Sequence, residues 1–293
     1  MEVEQGEGGT VITQPIIKTE GIKYVYPGEA GEALALAGVD LTVDQGEYLA
    51  VIGPNGSGKT TLLKHLNALL IPAAGRVLVN GLDTAIEDNL PVIRAQCGMI
   101  FQNPDNQLVA TTVEEDVAFG LENMAESPVQ IRARVAEALK TVGLEKLAQH
   151  PPHLLSGGEK QRVAVAGILA MRPRCLLMDE PTAMLDPESR AGVLDTVRSL
   201  NRSQGITVIH VTHFPEEAAL ADRVLVLDRG KMIKDGSSRE ILTDLSLLHS
   251  LGLQGTVAAE LAAGLAKDGF TPPPGLLHGR ELVEYLCSSA LKS

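Results

Sequence analysis

The run Gly53-Pro54-Asn55-Gly56-Ser57-Gly58-Lys59-Thr60 fits the spacing G-x-x-x-x-G-K-[ST]. Those residue types suit an anion carrying several phosphates. The glycines let backbone N–H groups turn inward, the lysine reaches the β- and γ-phosphates, and the threonine hydroxyl is placed to ligate Mg²⁺. The spacing implies a bound nucleoside triphosphate. Cys175-Leu176-Leu177-Met178 ends in Asp179-Glu180. Two carboxylates there divide the work, Asp179 holding Mg²⁺ through its water shell and Glu180 polarising an attacking water. Gln102, before Asn103-Pro104, is either a contact to Mg²⁺ or the attacking water, or a turn residue. His213 could touch the γ-phosphate, while His210, in the middle of an apolar run, reads as packed. Tyr26 is either a stacking platform for a purine or a packing residue.

Elements must bring these residues together. Tyr48-Leu49-Ala50-Val51-Ile52 reads as a buried strand ahead of the glycine-rich loop. Thr61 opens a helix in which Leu62, Leu66, Leu69 and Leu70 share one face. Gly98 to Phe101, Cys175 to Met178 and Ile206 to Thr212 are further apolar strands, and α/β sheets bind ligands at such strand ends. Ile17 to Tyr26, Leu36 to Val43 and Arg76 to Asn80 read as an antiparallel patch. Ile131, Val135, Leu139 and Val142 stripe a helix that starts near Pro128. Ser156 and Glu159 form an S-x-x-E capping box. Gly157 and Gly158 directly inside it lower helix propensity, which makes sense if their bare amides meet a phosphate. A hairpin turns at Asp228-Arg229-Gly230, and Ser237 and Glu240 cap a last core helix. The tail from about Leu245 is helical again at Val257, Leu261 and Leu265.

The chain has 293 residues, 44% hydrophobic with no Trp, so its core is aliphatic and one large domain plus an appendage is expected. A formal charge of −12 argues against a nucleic-acid partner. Cys97, Cys175 and Cys287 lack metal-site spacing and suit a reducing compartment. The start is acidic without an apolar stretch, and no run is long enough to cross a bilayer, so a membrane role must come through a partner.

These motifs in this order resemble the nucleotide-binding subunit of an ATP-binding-cassette (ABC) transporter, from about Ile17 to Leu242. The glycine-rich loop corresponds to Walker A, Gln102 to the Q-loop, Leu155 to Glu159 to the signature and Cys175 to Asp179 to Walker B. Glu180 corresponds to the catalytic glutamate, Leu185-Asp186 to the D-loop and His213 to the switch histidine. More narrowly, Phe101 to Gln107, Thr111 to Gly120, Pro151-Pro152-His153 and the helical tail resemble ATPases of energy-coupling factor transporters, which take up vitamins or transition-metal ions.

The resemblance implies an α/β fold of the P-loop NTPase, ABC-ATPase type, with an antiparallel β subdomain, a helical subdomain and a short helical C-terminal extension. Residues 1–16 are expected to lack order, 17–244 to form the ATPase domain with a helical subdomain at about 103–170, and 245–293 to assist dimerisation. It implies ATP and Mg²⁺. Tyr26, residues 53 and 55–61 (including Thr61), Ser156, Gly157, Gly158 and Asp186 would hold nucleotide, and Thr60, Gln102 and Asp179 the metal. Glu180, His213 and Gln102 would serve catalysis. Partners would be a second ATPase subunit, identical or paralogous, a transmembrane coupling subunit and a substrate-binding membrane subunit, with the ATPase peripheral on the cytoplasmic face. The segment from Asp105 to Val109 would grip the coupling subunit; its residues alone fit a surface loop equally well. Glu159 stands where the signature usually has Gln. The rival reading is a soluble ABC ATPase of DNA repair or translation. Repair-type members carry a long coiled coil between Q-loop and signature, and the span from Gln102 to Ser156 has no sustained heptads.

Overall fold

The computed structural model describes residues 14–27 and 33–290. Residues 1–13, most of the segment expected to lack order, lie outside the described residues. Ile16, placed in that segment, is buried and donates its N–H to Val43 O at 2.9 Å.

In chain order the strands are β1 (Ile17–Tyr26), β2 (Ala33–Val43), β3 (Tyr48–Ile52), β4 (Ala74–Val79), β5 (Leu82–Asp83), β6 (Cys97–Ile100), β7 (Cys175–Asp179), β8 (Thr207–Val211), β9 (Arg223–Asp228) and β10 (Lys231–Ser237). They form an antiparallel four-stranded sheet, β2-β1-β4-β5, and a six-stranded sheet, β10-β9-β3-β8-β7-β6. In the second sheet every pairing is parallel except β9 with β10. Arg229 and Gly230 both have positive φ, as the tight turn of that hairpin demands.

Strand β3 is buried at every position because both faces of the sheet are covered. Its alternation sorts two cores. Leu49 and Val51 join Leu177, Ile209, Val211 and Leu225 with residues of the antiparallel sheet and of α1 (Lys59–Leu66). Tyr48, Ala50 and Ile52 face the other way, toward the helical layer. Helix α1 thus packs on both sheets, and Leu62, Leu63 and Leu66 are fully buried. Each contributes about 1.5–3 kcal/mol.

The expected leucine face of α1 is corrected on two counts. The helix ends at Leu66, Ala68 takes a positive φ, and Leu69 is 44% exposed, so Leu69 and Leu70 lie beyond it. Leu63, outside the expected stripe, is buried because a helix between two sheets has no single wet face.

Helix α2 (Leu90–Gln96), short and carrying Pro91, was not legible in the sequence. Helices α3 (Val113–Asn123), α4 (Pro128–Thr141) and α5 (Gly157–Ala170) each begin with a complete capping box, from Thr112, Ser127 and Ser156. Val135, Leu139 and Val142 of the expected stripe are buried. Helix α6 (Pro187–Gln204) follows the loop after β7, and α7 (Pro215–Ala218) the loop after β8.

The chain continues through α8 (Ser238–Leu242), α9 (Leu245–Ser250), α10 (Val257–Lys267) and α11 (Gly279–Ala290). Helix α10 turns Ala258, Ala259 and Ala262 inward, whereas Val257 and Leu261 are 64% and 52% exposed. The apolar stripe legible in the tail therefore mostly faces outward. Among the described residues no helix is long and apolar enough to cross a membrane.

Candidate functional site

Four loops leave the same edge of the parallel sheet, after β3, β6, β7 and β8. This is the C-terminal edge, where such sheets bind ligands. The loop after β3 turns through Gly56 and Gly58, both at positive φ, into α1. At Gly58 a Cβ would lie 2.4 Å from Ala35 O, so only glycine passes between the two sheets. At Gly56 a Cβ would meet nothing within 4 Å, so the loop is open there. Tyr26, Leu34, residues 55–61 and Glu180 line one cleft. The Tyr26 ring packs edge-on against Tyr24 at 5.0 Å, and its hydroxyl accepts from Thr61 Oγ1 at 3.4 Å. An aromatic face at the cleft wall suits a purine.

Lys59 Nζ donates to Gly53 O at 2.8 Å and Pro54 O at 3.0 Å. Burial lowers its pKa, against the pull of Glu180 and Asp179. An incoming polyphosphate would supply the counter-charge that those carbonyls only partly replace. Ser57 Oγ is buried with no hydrogen-bond partner among the described residues, a vacant donor in the wall of the loop.

Thr60 Oγ1 donates to Asp179 Oδ1 at 2.9 Å. Burial raises the Asp179 pKa, more than the Thr60 hydrogen bond and the nearby lysines lower it. A divalent cation would remove that cost. The donor set is a hydroxyl and a carboxylate, and the described residues hold no cluster of three or more His, Cys, Asp or Glu placed for a metal. That fits Mg²⁺, which is held by one or two protein oxygens with water and substrate phosphates.

Glu180 has φ 50, a strained conformation for a non-glycine residue. Its Oε1 lies 2.5 Å from His213 Nε2, and its Oε2 accepts from Gln102 Nε2 at 3.3 Å. The carboxylate, imidazole and amide expected from separate strand ends are thus in direct contact. Gln102 is exposed, and its side chain is bonded to Glu180. Gln107, not singled out for the site, positions it: Oε1 accepts from Phe101 N at 3.0 Å, and Nε2 donates to Met99 O at 3.2 Å.

Ser156, Gly157, Gly158 and Asp186 do not line the cleft. They gather at the starts of α5 and α6. Ser156 N and Oγ both donate to Glu159 Oε2 at 2.8 Å, and the Ser156 bonds depress the Glu159 pKa. The capping box thereby accounts for Glu159. Gly158 has a structural cause beyond its bare amide, because a Cβ there would lie 2.5 Å from Ser189 Cβ on α6. At Gly157 a Cβ would meet only Leu185 Cδ2, at 3.5 Å. Asp186 Oδ1 accepts from Glu188 N and Ser189 N, capping α6.

The segment from Asp105 to Val109 faces outward only in part. Asp105 pairs with Lys160 of α5 at 2.7 Å, Gln107 turns inward, Leu108 packs on the core, and Val109 is 67% exposed. His210 is fully buried, as expected, but it also carries polar contacts: Nδ1 to Tyr48 Oη at 3.1 Å and Nε2 to Glu217 Oε2 at 3.4 Å. Glu217 and Thr182, likewise buried, were not legible as site residues. The one signal for Glu217 was its place four residues after His213.

A family model described as ABC transporter matches residues 36–183. The chain is 54% identical over 281 residues to the energy-coupling factor transporter ATP-binding protein EcfA1 of Symbiobacterium thermophilum, covering 94% of this chain and 98% of the relative. It is 50% identical over 274 residues to a protein of the same description from Clostridium perfringens, covering 93% and 98%. Among solved structures, cbiO1 of Clostridium perfringens, described as part of the ABC transporter complex cbiONQ, superposes with TM-score 0.73 at 34% identity. That match covers 87% of this chain and 98% of that one. The ATP-binding cassette MJ0796, solved as a dimer bound to ADP and Pi, gives TM-score 0.70 at 32% identity over 76% and 98%.

Proposed function

Because this chain belongs to the ABC transporter family, and within it to the energy-coupling factor transporter ATP-binding proteins, we propose that it hydrolyses ATP between two such subunits and thereby powers uptake of a vitamin or transition-metal ion. The observation that carries the reading is the convergence of Glu180, His213 and Gln102 beside the phosphate loop. ATP would lie along the cleft, its base against Tyr26 and its phosphates on the amides of residues 55–61. Lys59 would exchange its loop carbonyls for β- and γ-phosphate oxygens. Thr60 and Asp179, with Gln102, would hold Mg²⁺, which offsets phosphate charge when bound.

For hydrolysis, Glu180 orients a water and draws its proton in the transition state. Its present partners, His213 and Gln102, occupy both carboxylate oxygens. Each oxygen keeps a second lone pair that can accept from the water, and a shift of His213 toward the cleft would let it donate to the γ-phosphate. Ser156, Gly157, Gly158 and Asp186 lie away from the cleft of their own chain. This supports a composite site in which the starts of α5 and α6 of a second subunit, identical or paralogous, close over the γ-phosphate with unpaired helix N–H groups. The cassette MJ0796 is likewise solved as a dimer, bound to ADP and Pi. The outward Val257 and Leu261 stripe suits the tail for pairing, and the exposed surface around Asp105 and Val109 suits a membrane coupling subunit. A substrate-binding membrane subunit would select the cargo.

Two measurements on one preparation test the reading. Glu180→Gln should bind ATP normally, accumulate as a dimer and lose roughly 10²–10⁴ in turnover. Normal turnover in that variant removes Glu180 as the base. Gentle solubilisation of membranes should recover the wild-type chain with a second ATPase and membrane subunits. Recovery of the chain alone would favour a soluble ATPase.

A further inference from the structure

Glu217 is a buried carboxylate at the start of the short helix α7, outside the cleft, yet its contacts all lead back to the reacting groups. Thr182 Oγ1 donates to its Oε1 at 2.6 Å, and Thr212 Oγ1 to its Oε2 at 2.5 Å. Thr182 is two residues beyond Glu180 and Thr212 directly precedes His213, the pair whose side chains touch at 2.5 Å. Two cationic or cation-forming groups face the same carboxylate without forming aligned hydrogen bonds. His210 Nε2 is 3.4 Å from Oε2, and Arg190 Nε is 3.7 Å from Oε1. Arg190 reaches further. Its guanidinium covers the Phe214 ring at 3.8 Å and donates to Leu185 O at 3.4 Å, at the loop that ends in Asp186.

Stability does not account for this arrangement. Taking a carboxylate out of water costs several kcal/mol, and apolar replacements of buried ion pairs are often neutral or better. What such a network supplies is a fixed geometry. Burial alone would raise the Glu217 pKa, but His210, Thr182 and Thr212 together hold it below the usual range, so the group stays ionised and keeps accepting from both threonines. Glu180 itself sits at φ 50, a conformation that persists only where its surroundings enforce it.

We propose that Glu217 is a positioning residue for ATP hydrolysis. It ties Thr182 to Thr212, so that Glu180 and His213 keep their register, and through Arg190 it extends the same constraint to the Leu185-Asp186 loop. His210 has its place here: its Nδ1 meets the Tyr48 hydroxyl and its Nε2 faces the Glu217 carboxylate. The inference rests on the roles proposed above for Glu180 and His213.

The test uses the full chain and compares kcat, KM for ATP, ATP affinity and thermal midpoint. Glu217→Gln keeps the shape and removes the charge. A misplacement of about 1 Å costs roughly 10²-fold in rate, so kcat should fall by about 10- to 100-fold. ATP affinity should hold within about twofold, because no Glu217 contact reaches the phosphate loop. In a His213→Ala background the same substitution should cost little more, since the register it maintains is already gone. Unchanged kcat, or an equal fold-loss in both backgrounds, overturns the proposal. Loss of ATP affinity in parallel with kcat does so too, because it marks general unfolding. If Glu217→Gln does not fold, Thr182→Val and Thr212→Val each remove one tie, and wild-type kcat in both overturns it equally. Absence of turnover in the wild type would instead remove the hydrolysis reading itself.

Discussion

Asp179 bears two opposed demands. Buried at the end of β7, it has one hydroxyl partner and no neutralising cation in direct contact, and its pKa is raised chiefly by burial. In the unfolded chain the carboxyl ionises at its ordinary, lower pKa. At neutral pH the folded protein must therefore hold a charge that the unfolded chain carries more cheaply. Asp179→Asn keeps an oxygen for Thr60 and removes that cost. Without nucleotide it should melt at a higher temperature than wild type at pH 7. The difference should shrink as pH falls below neutrality, because the folded wild-type carboxyl takes up its proton above the ordinary carboxylate range. Turnover should fall at the same time, since the amide is a poor partner for Mg²⁺. A nucleotide-free melting temperature equal to or below wild type at pH 7 would show that the charge is already compensated.

The start of α5 shows one element serving two ends. Both glycines there follow an N-cap serine, but their neighbours differ. Gly158 faces α6, where an added methyl would press on Ser189 Cβ and Oγ at 2.5 Å. Gly158→Ala should destabilise the fold by about 1–3 kcal/mol in denaturant titration, as overpacking does. Gly157 is exposed and has room, so Gly157→Ala should leave stability unchanged or slightly raised. Its methyl would stand beside a bare helix N–H, so ATP-driven dimerisation should weaken instead. Equal stability loss in the two variants would mean that packing alone explains both residues. The motif was legible in the sequence, but that Gly158 is demanded by Ser189 was not, because the contact belongs to a helix crossing that no local pattern encodes.

At the scale of the molecule, the tail is held to the ATPase core by a compact polar staple. Arg239 on α8 donates through Nη1 to Gly275 O and through Nη2 to Glu281 Oε1, the latter at 2.5 Å. Glu281 also accepts from Leu277 N at 2.8 Å, ahead of α11. The Arg239 hydrogen bond, with the N–H groups of Leu277 and His278, lowers the Glu281 pKa to about 2. A depressed carboxyl contributes stability above its unfolded pKa, and that contribution is lost as pH falls from about 4.5 toward 2. Because Arg239 is half exposed, the pair is worth only about 0.2–1 kcal/mol. Glu281→Gln should speed amide exchange in α11 at neutral pH without changing ATP affinity, and wild type should show the same loosening on acidification through that window. Exchange in α11 as slow as in wild type would show that the apolar burial of Leu277 in the core holds this end of the tail unaided.

The kind of fold and the type of ligand were legible in the sequence. The spacing of Gly53 to Thr60, the strand ending in Asp179-Glu180 and the capped Ser156-Gly157-Gly158 are local patterns, and local patterns are what a linear chain displays. The continuous apolar run from Tyr48 to Ile52 likewise reads as a buried strand. Tertiary structure decided which residues meet. The contact of Glu180 with His213 and Gln102 depends on strand order β3-β8-β7-β6, which sets the C-terminal edge of one strand beside another far away in sequence. The outward turn of Val257 and Leu261 depends on which face of α10 packs against Leu276 and Leu282 of the same tail, and it is the face with Ala258 and Ala262. Glu217 is the sharpest case. Thr182 reaches it from the loop after β7, Arg190 from α6, and His210 and Thr212 from the end of β8, and a buried carboxylate becomes tolerable only once folding brings its donors to it.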